Sequence, residues 1–199
     1  MKKVFLACMV AIASMSVANA QKLVVQSGDV SALRGQKGIK LEYVYDGMSV
    51  GKFRTEKEYT DQKVTEYNKK EAGKGDKFLA SWSSARTERY QPKFEDLMDK
   101  VIGDKMKIQD ASAKYTIIVT TTKTEPGFNI GIMRQPAYVD FDFKIVESAN
   151  HSKVIASLYV INVIGAQAMG FDYDAGSRIA ESYAKAGKIL AKYLEDKLY

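Results

Sequence analysis

Few side chains in this sequence have the type and spacing to do chemistry. Asp140 and Asp142 stand two apart in Val139-Asp-Phe-Asp-Phe-Lys-Ile145, an alternating run that reads as a strand. Residues two apart on a strand share a face, with about 7 Å between them. A carboxylate pair so placed suits Ca2+ if more oxygen ligands join it, or acid–base work if its surroundings drive the two pKa values apart. Lys144 continues the same face, and the ordinary alternation of a half-buried sheet accounts for all three as solvated side chains. His151, the only histidine, lies between Asn150 and Ser152. A Ser-His-Asp device would need it held beside a buried acid and a nucleophile, so a solvated turn histidine is the better reading. Gly47-Met-Ser-Val-Gly51-Lys52-Phe53 has the outline of a phosphate-binding loop. It is one residue short between its glycines and carries Phe53 where a Mg2+-binding hydroxyl belongs. No catalytic residue, metal site or cofactor is therefore expected.

The most unusual segment is Glu125-Pro-Gly-Phe-Asn-Ile-Gly-Ile-Met-Arg-Gln-Pro-Ala137. It puts Phe128, Ile130, Ile132, Met133 and Arg134 in a connection that would otherwise be short and polar. Long loops often carry function, and exposed apolar residues mark contact sites. A second apolar stretch, Gly165 to Tyr173, leads into the last helix. Both loops could meet a partner, a ligand or a membrane, or fold back over the core. The candidate binding residues are Phe128, Ile130, Ile132, Met133, Arg134, Asp140 and Asp142.

The elements that must position these residues can be read from periodicity. Residues 21–37 read as a loose lead-in. Ile39, Leu41, Tyr43 and Tyr45 alternate with Lys40 and Glu42 as a half-buried strand. Residues 55–72 lean helical with a thin apolar face, ended by Gly73 and Gly75. Phe78, Leu79, Trp82 and Ala85 mark a second helix. Phe94, Leu97, Met98, Val101 and Ile102 mark a third, with Pro92 in its first turn and Gly103 at its stop. Strands follow over Tyr115–Thr122, Val139–Ile145 and Val154–Ile164, the last two joined as an antiparallel hairpin by a turn at Ala149–Ser152. A long helix from about Ala175, capped by Asp174, buries Ile179, Tyr183, Ala186, Leu190 and Leu194. Its Ala180, Gly187 and Ala191 allow close approach to a sheet. The fold class this implies is α+β: a two-layer sandwich, mostly antiparallel, with helices on one face.

Composition bounds the rest. The chain has 199 residues, 30 Lys+Arg, 24 Asp+Glu and one cysteine. Lys2 and Lys3, the apolar run Val4–Ile12 and Ala18-Asn19-Ala20 before Gln21 make residues 1–20 a signal peptide by pattern. A lipobox reading of Phe5-Leu6-Ala7-Cys8 leaves only four residues between Lys3 and Cys8, where an apolar region of at least about seven is needed. Cleavage would remove Cys8 and two lysines, taking the net charge from +6 to +4 and excluding disulfide, thiol and iron–sulfur chemistry. Residues 38–199 then form a single α+β domain. Six lysines and six acids interleave between Thr55 and Lys77, a solvated face rather than a nucleic-acid stripe. Beyond the leader no run reaches the ~18–20 apolar residues of a membrane span; Val154–Gly170 is broken by Ser157, Asn162 and Gln167.

The order of parts from Phe94–Ile102 through Tyr115–Thr122, Val139–Glu147, Lys153-Val-Ile-Ala156 and the closing Ala175–Tyr193 helix resembles a known domain. It is similar to the α/β domain shared by the curli-secretion lipoprotein, the amino-terminal domain of TolB and related exported bacterial proteins. The resemblance covers about residues 90–195 by pattern alone. It implies a non-catalytic envelope protein that acts by assembly or docking. The expectation is thus an exported protein of the periplasm, with outer-membrane association or secretion left open, that binds an envelope protein or a second copy of itself. A carrier of an apolar small molecule or lipid is the second reading, and a hydrolase or Ca2+-dependent enzyme at Asp140 and Asp142 the third.

Overall fold

The computed structural model of the chain describes residues 21–129, 133–166 and 175–199. The expected signal peptide, Ile130, Ile132 and the capping Asp174 lie outside them. Among the described residues there are nine strands: β1 (Val24–Gly28), β2 (Gly38–Val44), β3 (Ser49–Val50), β4 (Lys107–Ile108), β5 (Tyr115–Glu125), β6 (Phe128–Asn129), β7 (Arg134–Gln135), β8 (Tyr138–Glu147) and β9 (Asn150–Ile164). Four α-helices accompany them: α1 (Glu56–Lys70), α2 (Lys74–Ala85), α3 (Gln91–Ile102) and α4 (Ala175–Leu198). Seven strands form one sheet in the order β1-β9-β8-β5-β2-β4, with β3 also on β5. The long pairings β5–β8, β8–β9 and β9–β1 are antiparallel, and β2 joins β5 in parallel. Strands β6 and β7 form a separate hairpin.

The alternation seen in the sequence sorts the two faces. Val139, Phe141, Phe143 and Ile145 of β8 are fully buried, as are Ile117 and Val119 of β5. Onto this face lie α3 and α4. Phe94 of α3 sits 6.1 Å from the Phe143 ring, and Tyr183 of α4 meets Phe141 edge-on at 4.8 Å. Such aromatic pairs add to their area burial. The α1–α2 hairpin packs beside β3 through Tyr59, whose ring meets Phe53, Phe78 and Trp82. Thr55 caps α1 by accepting the Glu58 amide.

Four expectations need correction. Residues 21–37 are no loose lead-in: β1 adds to the edge of β9, and Val30 and Leu33 are buried in the core. The apolar residues there are spaced for a strand and a 3-10 turn, too short a pattern to stand out in sequence. The turn of the β8–β9 hairpin is Ser148–Ala149, because Glu147 pairs with Asn150, so His151 lies in β9. Its Nδ1 is 3.7 Å from Glu42 Oε2. The helix does not break between α2 and α3. Residues Arg86–Tyr90 form a π turn in which the Gln91 amide donates back to the Arg86 carbonyl. Pro92 offers no N–H to the carbonyl four residues earlier, so the wider turn absorbs the mismatch. Finally, Gly187 serves helix–helix contact: a Cβ there would strike the Phe94 carbonyl of α3.

Candidate functional site

The 125–137 segment leaves the sheet where β5 ends. Gly127 adopts φ +68°, and a Cβ there would strike the Gln135 carbonyl, so glycine alone lets the two arms approach. Its amide donates to Glu125 Oε1 at 3.1 Å. The arms then pair as β6 and β7, with Phe128 opposite Gln135 and Asn129 opposite Arg134. Phe128 is 37% exposed and Met133 is 55% exposed, and Arg134 beside them is also exposed. These residues stand off the core as a short apolar-and-cationic projection.

The base of the projection is fixed. Arg178 of α4, only 4% exposed, donates from Nε to the Pro126 carbonyl at 3.2 Å. On the other arm, the Ala137 carbonyl accepts the Gly165 amide at 2.8 Å, which ties this loop to the one that leads into α4. The Ala166 amide in turn donates to the Arg178 carbonyl at 3.3 Å. One buried guanidinium-bearing residue thereby joins the two apolar loops singled out in the sequence. Arg178 itself escaped notice there, since it sits among small and apolar residues with no motif around it.

The two aspartates part company. Asp140 Oδ1 accepts the Asn162 amide at 2.6 Å. Asn162 has φ +54°, in the left-handed region, where β8 and β9 slip register. Asp140 thus pins a bulge. It also lines a cleft of about 250 Å3 with Lys123, Glu125, Gln135, Tyr138 and Asn162. Asp142 lies farther along the sheet, between Thr120 and Tyr159. Among the described residues, no group of three or more His, Cys, Asp and Glu side chains could hold a metal ion.

A second polar cluster lies half-buried between α1, α2, the π turn and α4. Glu56 accepts from Trp82 Nε1 at 2.5 Å and pairs with Arg86. The Arg86 guanidinium lies 4.3 Å from the centre of the Tyr45 ring. Tyr90 stacks on Tyr183 at 4.9 Å, and the Tyr183 hydroxyl bonds Thr121 Oγ1 at 2.5 Å. Burial raises the Tyr45 and Tyr183 phenols above the ordinary value. The space left inside is about 10 Å3, no more than one water's worth, so this cluster holds helices together.

No protein-family model and no curated protein matches the chain. Among solved structures, a dodecameric PelC from Paraburkholderia phytofirmans is similar in two crystal forms. One is 14% identical with a TM-score of 0.38, over 86% of this chain and 95% of that one. The other is 12% identical with a TM-score of 0.38, over 86% and 97%. A Xanthomonas campestris protein assigned to DUF330 is 15% identical with a TM-score of 0.34, over 52% of this chain and 60% of that one. At these levels the likenesses carry nothing about what this chain binds. No described helix is long and apolar enough to cross a membrane.

Proposed function

We propose that this chain is an exported, non-catalytic protein of the bacterial envelope that binds another protein, or a second copy of itself, through the β6–β7 hairpin. The observation that carries this is a braced projection: exposed Phe128 and Met133 on two paired arms whose base is held by buried Arg178. A rigid base under exposed apolar side chains lowers the ordering cost of binding. The leader pattern of residues 1–20 supports export, and the resemblance to the curli-secretion and TolB domains supports docking as the mode of action. Apart from Tyr138 the cleft beside the hairpin is lined by charged and amide side chains, which favours polar contacts at the rim over storage of an apolar molecule. Asp140 spends one oxygen on a backbone amide, which supports a positioning role for it over acid–base catalysis.

Native mass spectrometry of the protein recovered from an exporting cell tests this reading. The expected result is a complex of fixed stoichiometry that Phe128→Asp with Met133→Lys abolishes while the thermal melt is unchanged. A complex that survives the double substitution in the folded protein contradicts the hairpin as the contact.

A further inference from the structure

The hairpin docks on the first turns of α4, and the far end of the same helix carries a surface of another kind. A groove of about 530 Å3 runs between α4 and the chain as it enters β1. Leu23, Ile189 and Tyr193 form its apolar floor, and Lys22, Lys192, Lys197 and the acid Asp196 its rim. On the outermost strand that follows, Val24 and Val25 are exposed. Along α4 the rim extends into a ridge: Lys185, Lys188 and Lys192 are all exposed and follow one another at three and four residues, one face of the helix. Arg34 closes the corner, its guanidinium bonded to the Lys197 carbonyl at 3.3 Å.

Of the rim lysines, the local acids offset only Lys197. Asp196 is paired with Lys197, Glu195 with Lys105 and Glu181 with Lys93. Among the described residues, Lys22, Lys188 and Lys192 take part in no ion pair. We infer that this groove and ridge rest on an anionic phospholipid surface, with Tyr193 and Leu23 at headgroup level and the lysines reaching phosphate. Lysine is depleted from the cores of protein–protein interfaces, whereas a lysine cluster beside apolar and aromatic groups is what an anionic bilayer rewards. Lysine stems lie along apolar surface while their heads reach the charge.

Vesicle co-sedimentation tests the inference, using the protein recovered from an exporting cell with phosphatidylcholine vesicles and phosphatidylglycerol vesicles. Binding is expected to phosphatidylglycerol alone, and to fall as salt is raised. Lys188→Glu with Lys192→Glu should weaken it at least tenfold. Lys69→Glu with Lys70→Glu, an equal charge change at the exposed end of α1, should leave it within twofold. Equal binding to both vesicle types, equal loss in the two variants, or no binding at all overturns the proposal. So does a change in oligomeric state caused by Lys188→Glu with Lys192→Glu, which would make the ridge an interface between copies.

Discussion

Arg178 does the most for the site with the least signal in the sequence. A buried arginine is stable only where its donors find acceptors, and here one acceptor is the Pro126 carbonyl of a surface loop. Arg178→Met keeps the stem and removes the guanidinium, which leaves that carbonyl without its donor. The expected cost is about 1.5–3 kcal/mol in denaturant unfolding, the range for bonds that involve a charged group. Hydrogen exchange in residues 125–129 and 133–137 should rise with it, while the β8–β9 amides keep their protection. Unchanged exchange in the hairpin arms would show that Arg178 does not brace them. Asp140 illustrates the opposite case, a residue whose spacing suggested chemistry and whose carboxylate secures a bulge at Asn162.

At the scale of elements, the long-period signals were legible. The β5, β8 and β9 runs and the α3 and α4 stripes follow from alternation and helical spacing alone, because each is long and has one buried face. What could not be read was set by contacts between distant parts. β1 is a strand because β9 offers it an edge, and the π turn at Arg86–Tyr90 arises from Pro92 together with the demands of Glu56 and Tyr183 on either side. The candidate site was half visible: the unusual loop stood out by its composition, but its brace and the polar cleft required the fold. Gly187 was recognised as a close-approach residue and matched to the wrong neighbour. Gly187→Ala tests the contact with α3. Helix propensity alone would favour alanine by up to ~1 kcal/mol. The Phe94 carbonyl stands where the methyl would go, so a net loss of about 1–3 kcal/mol is expected in denaturant unfolding. A stabilised variant would mean that the helices separate at little cost.

Across the whole molecule, tyrosine phenols are distributed through the interior and govern its response to alkali. Burial raises Tyr43, Tyr45, Tyr59 and Tyr183, with Glu95 adding to the rise at Tyr43 and Tyr67 and Glu125 to that at Tyr59. A group whose pKa is higher folded than unfolded gives stability that is complete below the unfolded value and declines above it. Since unfolded tyrosine titrates near 10, stability should hold up to about pH 10 and then fall as pH rises further. Tyrosinate absorbance and loss of circular dichroism should appear together; full titration of a still-folded chain would contradict this. The two proposals fall on two regions along α4, a braced hairpin at one end and a lysine-rimmed groove at the other. The hairpin is the central claim, and photocrosslinking in the exporting cell reaches it most directly. A photoreactive residue placed at Phe128 or Met133 should give discrete adducts with one protein or with a second copy, and none when placed at Lys70. No adduct from the hairpin positions, or the same adducts from Lys70, would contradict the account.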